Sequence, residues 1–353
     1  MRRSRRSPML ALVIAMLMIT AACGDDDGGG SVSVPADAGD EASSQASTDD
    51  AFPVTIEHAL GTAEIPEAPE RVVTWGWGST EAAIALGVTP EAMPYQAYGG
   101  DDEGVLPWVR DALEAEDAEI PERLPDAQEA PIEAIAAAEP DLILAVYSGL
   151  TQEEFDLLSE IAPTVAYPDE AWATPWRETI EIVGEALGKS EEATQLLDDI
   201  DAEVAAAAEA HPEFQDKTVI QVVDTPDTFY VYKEADPRVQ FLTDLGFANA
   251  EAVTDLATDE STFYFTLSKE RLGELESDVL VAHAATQEEM DAFLESDYAR
   301  QLPQIESGTV APLVGAPYVA SVSPPNALSL TWGLDEYVEI LSEAALAAEG
   351  TGG

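Results

Sequence analysis

The sequence predicts an α/β protein of two lobes, each carrying a mainly parallel sheet, joined by one long helix. Three observations predict it. Short apolar runs alternate with helix-patterned segments. The stretch PIEAIAAAEPDLILA (131–145) returns in altered form as SKERLGELESDVLVA (268–282). Between the two copies, residues 189–210 run without Gly or Pro for more than five turns of about 3.6 residues each.

Residues 1–23 have the pattern of an export signal. Arg2, Arg3, Arg5 and Arg6 make a positive n-region, Met9 to Ile19 an apolar h-region, and Thr20-Ala21-Ala22 a run of small residues. The apolar run is short for a bilayer span. Cys23 is the only cysteine, so a disulfide within the chain is impossible. ITAAC resembles a bacterial lipobox, with Thr20 where that motif has Leu, and makes Cys23 a lipidation candidate; a lone thiol is the other reading. SRRSPML faintly resembles a twin-arginine signal but departs at Pro8, which leaves the export route open. Residues 24–51 are rich in Gly, Ser, Ala and Asp and lack the apolar content to bury a core, as a tether would.

The first lobe is expected over 52–188. It opens with a hairpin at 53–66 turning at Gly61, followed by a buried strand at 71–75. A helix over 79–87 should be capped by Ser79 or Thr80 and closed by Gly87, with further strands at 141–147 and 164–168. The linker helix occupies 189–211 and ends at His211-Pro212. A second lobe over 212–346 repeats the alternation, with strands at 218–224, 228–233, 278–282 and 309–314 and a helix at 236–247. Residues 347–353 are expected to be a tail. Aligning Glu133 with Glu270 places Asp141 on Asp278 and LILA (142–145) on VLVA (279–282); TQEEFDLL (151–158) then echoes TQEEMDAFL (286–294).

Charge narrows the partners. The chain carries 15 Lys and Arg against 70 Asp and Glu, a net charge of −55, and the signal holds four of the arginines. Such a body lacks the cationic footprint that nucleic acid requires.

The stretches APERVVTWGWGSTEAAIALGVTP, EAIAAAEPDLILAVYSGLT, LSEIAPTVAYP, DPRVQFLTDLGF and FTLSKERLGELESDVLVA occur in the order seen in the substrate-binding lipoproteins of iron–siderophore importers, relatives of the cobalamin- and ferric hydroxamate-binding proteins. The resemblance covers 53–346. It implies a monomer that binds a ferric siderophore between its lobes, performs no reaction and holds no cofactor. It further implies docking on the permease dimer of an ABC importer through one acid per lobe, at Glu133 and Glu270. A symmetric dimer offers two equivalent sites, which a repeated acid would match; the plainer reading of each is an exposed acid near a helix N-terminus. Cobalamin or haem is the alternative ligand, haem wanting Tyr147 or His283 as a ligating group. A hydrolase or chelatase on a similar fold is the alternative from another class.

Ligands of α/β sheets sit beyond the carboxyl ends of the strands. Reading those ends gives Trp75, Trp77, Tyr147, Ser148, Tyr167, Trp172, Trp176, Asp224, Thr225 and His283, with Tyr230 on the strand 228–233. Flat side chains suit a bulky chelate, although each aromatic has a core reading as well. Arg238 is the expected anchor for an anionic oxygen, with Arg177 the weaker candidate and a surface salt bridge the other reading. His58, His211 and Cys23 are too scattered to make a bare metal site. G-x-S-x-G and G-x-x-x-x-G-K-[ST] motifs are absent.

Overall fold

A computed structural model describes residues 51–258 and 261–351. The export signal, Cys23 and the tether up to residue 50 therefore lie outside the described residues. A hairpin of β1 (Val54–His58) and β2 (Gly61–Ile65) opens the body, pairing His58 with Gly61 across the turn.

The first large sheet contains β3 (Val72–Thr74), β4 (Ala92–Met93), β5 (Glu122–Arg123), β6 (Leu142–Leu144) and β7 (Thr164–Val165), all parallel, in the order β5-β4-β3-β6-β7. The chain leaves β3 toward β4 and later returns on its other side as β6, so the gap between the carboxyl ends of β3 and β6 is a topological switch point. Val72 to Thr74 and Leu142 to Leu144 are fully buried, as strands covered on both faces must be.

The second sheet contains β8 (Thr218–Asp224), β9 (Phe229–Tyr232), β10 (Ala248–Asn249), β11 (Tyr264–Thr266), β12 (Val279–Ala284) and β13 (Val310–Val314). Its path is β11-β9-β8-β12-β13, with β10 alongside β8. Pairings of β8 with β12 and of β12 with β13 are parallel, while β9 and β11 are antiparallel additions. Here too the chain leaves the central strand β8 on one side and returns on the other as β12. The second switch point lies between them.

The helix Ser190–Ala210 separates the two sheets in sequence and buries Ala193, Ile200 and Val204 along one face. Arg177 pins it: Nη2 donates to Asp201 Oδ1 of this helix at 2.6 Å and to Asp244 Oδ2 at 3.0 Å. Arg177 thus ties the helix Trp176–Ala186 to two others and is not a cleft cation.

The repeat has a physical basis. Asp141, just before β6, accepts from the backbone N–H of Glu70 and Arg71 at 2.8 and 2.9 Å, immediately before β3. Asp278, just before β12, accepts from Thr218 N and Thr218 Oγ1 at the start of β8, both at 2.8 Å. Each aspartate fixes its strand against the central strand of its own sheet. The two TQEE stretches form matching capping boxes, Thr151 with Glu154 and Thr286 with Glu289. Their glutamines bond alike, Gln152 to Asp156 and Gln287 to Asp291.

Three expectations are corrected. The helix Ser79–Ala85 has Gly78 at its N-cap and no side-chain cap. Ser79 Oγ accepts from Val146 N instead, and Thr80 Oγ1 bonds Thr74 Oγ1 at 2.7 Å, so both hydroxyls tie the helix to the sheet. The repeated unit diverges locally: Glu133 lies in the first turn of the helix Ile132–Ala137, whereas Glu270 lies in a turn before the 3-10 segment Leu272–Glu274. The expected tail is helical through Thr351, since the last helix runs Ser329–Thr351.

Candidate ligand-binding cleft

Each switch point opens into a cavity. At the first, Trp75-Gly76-Trp77 follow β3 and Tyr147 follows β6; Trp75 N donates to Leu144 O at 2.8 Å and Trp77 N to Tyr147 O at 3.0 Å. These bonds carry the two strands' pairing past their ends and hold Trp77 at the mouth. Gly76 has φ +85°, and a Cβ there would lie 2.4 Å from Tyr147 O, so the turn requires glycine. The cavity, of about 370 Å³, is walled by Trp75, Trp77, Tyr95, Tyr98, Leu150 and Trp172. Trp172 adopts φ +61°, is 42% exposed, and meets Tyr147 edge-on at 5.9 Å. Its indole lies over Gly149, where a Cβ would come within 2.3 Å of Nε1.

The second cavity, of about 600 Å³, is walled by Asp224 and Thr225 at the end of β8, His283 and Ala285 around the end of β12, and Lys269 and Phe293. Tyr98 lines both cavities, so the two adjoin at this side chain and together form the candidate cleft. Lys269 Nζ lies 2.7 Å from Asp224 Oδ1 and 4.3 Å from the Tyr298 ring centre, and Tyr298 Oη donates to Asp224 Oδ2 at 2.7 Å. His283 is 7% exposed; burial, with the charge of Arg238, pushes its pKa down to about 3 and keeps it neutral. Its Nε2 bonds Gln221 at 3.0 Å and its Nδ1 has no partner.

Arg238 lines neither cavity, but its charge reaches Tyr147 beside the first and His283 in the second. Nε and Nη2 meet Asp236 Oδ1 and Oδ2 at 2.7 and 2.6 Å, Nη1 donates to Ser323 Oγ at 2.8 Å, and the guanidinium stacks 3.8 Å from the Tyr232 ring centre. Burial works against this charge, but the Asp236 carboxylate outweighs it and raises the pKa. Burial likewise pushes Tyr147 up to about 12 and raises Tyr232, so both phenols stay protonated.

The sequence-predicted residues therefore divide. Trp75, Trp77 and Trp172 line the first cavity, and Asp224, Thr225 and His283 the second. Tyr147 stands beside Trp77 and lines a small crevice behind it. Trp176 does not face either large cavity: it is 4% exposed in the core under the first sheet, beneath Arg177. Tyr230 also lines neither, and meets Tyr264 edge-on at 5.4 Å. Tyr167 and Ser148 are buried supports, the tyrosine donating to Leu150 O at 3.0 Å. Arg238 is close at hand, but its fork is filled by Asp236, contrary to an anchor held free for an anion. Tyr95, Tyr98 and Lys269 were not singled out by sequence reasoning. The first two lie in PYQAYGG after β4, a strand of two residues that leaves no apolar run to mark its end. Among the described residues, no cluster of three or more His, Cys, Asp or Glu could hold a metal, and no helix is long and apolar enough to cross a membrane.

Residues 72–313 match the Periplasmic binding protein family, and the chain belongs to it. It is 29% identical over 279 residues to "Probable siderophore-binding lipoprotein YfiY" of Bacillus subtilis, covering 77% of each chain. It is 26% identical over 282 residues to the ferric enterobactin-binding periplasmic protein FepB of Escherichia coli, covering 73% of this chain and 83% of that one. Among solved structures, PiaA of Streptococcus pneumoniae in complex with ferrichrome superposes with a TM-score of 0.76 at 31% identity, over 83% of this chain and 99% of that one.

Proposed function

We propose that this protein captures a ferric siderophore in the cleft and delivers it to the permease of an ABC importer without transforming it. The observation that carries the reading is the pair of cavities at equivalent switch points, adjoining at Tyr98, in a chain whose relatives include proteins named for siderophores. Together they offer a bulky, mostly apolar space with neutral phenols at its rim, which suits an iron already wrapped in its chelator. Export, lipidation at Cys23 and attachment to the outer face of the cell membrane belong to the same reading, as does action as a monomer. Glu133 and Glu270 are both exposed and are proposed to meet the permease.

Titration of the tryptophan fluorescence tests it. Trp75, Trp77 and Trp172 should be quenched saturably by at least one ferric siderophore, and not by bare ferric ions at the same concentration. Equal binding of bare ions would sink the reading. For docking, Ala at both Glu133 and Glu270 should preserve ligand affinity and lower uptake in reconstituted vesicles. Ala at Glu191 and Glu192 of the linker helix is the charge-matched control, and an equal loss there would return the repeated acids to ordinary surface charges.

A further inference from the structure

The cleft is poor in available positive charge. One cation, Lys269, lines the two cavities, against four carboxylates, Asp126, Glu154, Asp224 and Glu289. Lys269 is already neutralised by Asp224 at 2.7 Å, and the nearby Arg238 is held by both oxygens of Asp236 and by Ser323. Glu154 and Glu289 accept backbone N–H groups at their helix starts, which orders these carboxylates without cancelling their charge. Asp126 is exposed on the wall of the first cavity. The other polar groups on the walls include the phenol of Tyr98, the indole of Trp77, the amides of Gln96 and Gln128 and the unpartnered Nδ1 of His283, none of them a cation.

Ferric chelates differ in charge by simple stoichiometry. Three hydroxamates, each bearing one negative charge, cancel Fe³⁺ and leave a neutral centre. Three catecholates, each bearing two, leave a trianion, and citrate-type chelates are also anionic. An anion entering this cleft would lose hydration and meet uncompensated carboxylates with no free cation to receive it. A neutral chelate needs only apolar walls and neutral donors for its oxygens, which the cleft supplies.

We propose that the cleft selects ferric chelates without net negative charge, the tris-hydroxamate class, and discriminates against tris-catecholates and ferric carboxylates. The inference rests on the siderophore reading above. It reverses what Arg238 suggested in the sequence, where a guanidinium beyond a strand pair looked like a receptor for catecholate or carboxylate oxygen.

The test is a fluorescence titration of the body with ferrichrome, ferric enterobactin and ferric citrate at two salt concentrations. Ferrichrome is expected to bind at least about tenfold more tightly than either anion at low salt, a gap that added salt narrows as it screens the repulsion. Asp126→Asn, at an exposed position that tolerates the change, should raise ferric enterobactin affinity relative to ferrichrome. Asp224→Asn, which frees Lys269, should do so more strongly. Ferric enterobactin bound as tightly as ferrichrome, or a gap that neither salt nor either substitution moves, would overturn the charge selection and leave the siderophore reading standing. No saturable response to any of the three would instead overturn that reading, and the charge selection with it.

Discussion

The two cavities occupy the same place in two sheets of like topology, yet their walls have different chemistry. In the first lobe the wall is aromatic, with Trp75, Trp77, Tyr95 and Trp172 around a glycine turn. In the second it is a balanced ion pair, Lys269 with Asp224, beside a buried neutral histidine. What the lobes share lies at the amino ends of the strands and in the helix caps: Asp141 and Asp278, Thr151–Glu154 and Thr286–Glu289. What they do not share lies in the loops at the carboxyl ends. Topology decides where a ligand can sit, and the loops decide what it can be.

The largest effect should come where the lobes are least alike. Arg238→Ala leaves Asp236, whose side chain is 0% exposed, without its partner, and removes the stack on Tyr232. Breaking a buried pair from one side costs about 3–5 kcal/mol, so urea unfolding should show a fall of that order, largely recovered in Arg238→Ala with Asp236→Asn. A fully stable single mutant would mean that the guanidinium is a free receptor after all.

Next is Gly76→Ala in the first lobe. The left-handed backbone and the 2.4 Å approach to Tyr147 O both oppose a side chain, and about 1–3 kcal/mol of stability should be lost. The second lobe has no counterpart to this turn, so hydrogen exchange should loosen around β3 and β6 while β8 and β12 keep their protection. Uniform loosening would show that the lobes unfold as one unit.

Smaller, and aimed at the likeness of the lobes, are Thr151→Ala and Thr286→Ala. Each removes one arm of a capping box and should cost about 1 kcal/mol. Two unequal costs would reveal that the repeated sequence does different work in the two lobes.

The finest distinction separates two neighbouring tryptophans. Trp172→Ala, at the rim, should weaken the ferric ligand by about 0.5–1.5 kcal/mol, the value of an aromatic contact beyond its area. Trp176→Phe should leave ligand affinity unchanged while lowering the melting temperature, because that indole is core. Quenching titrations with both variants check it, and a reversed order would put the cleft on the other side of the first sheet.

Much of the fold was legible because the interactions that define it are local. The strands 218–224 and 309–314 were readable as apolar runs, and the linker helix as a long segment without Gly or Pro closed by His211-Pro212. The TQEE boxes repeat as sequence because each caps its own helix, and the strand-start aspartates because each ties its strand to the central strand of its sheet, a contact far along the chain but the same in both lobes. The cleft was legible in part, since strand ends point to Trp75, Trp77, Asp224 and His283 wherever the strand itself can be seen. Tyr95 and Tyr98 escaped because β4 is only two residues long. The N-cap of the helix Ser79–Ala85 was misread because Ser79 and Thr80 find better partners across space, at Val146 and Thr74, than along the chain, while Gly87 closes the helix in the left-handed conformation as expected.

The sequence by itself determined the alternation of strand and helix, the duplication of one unit and the helix between its copies, since these rest on periodicity and on contacts a few residues apart. Only the tertiary structure decided which aromatic faces the ligand and which the core, because Trp172 and Trp176, four residues apart, are separated by a left-handed turn and the start of a helix that sends one outward and one in. It also decided the fate of Arg238. Two residues from Asp236, its guanidinium could have reached outward to an anion or folded back onto the carboxylate. Burying that aspartate fully leaves an uncompensated charge unless the arginine turns to it, and this desolvation cost depends on everything packed around the pair.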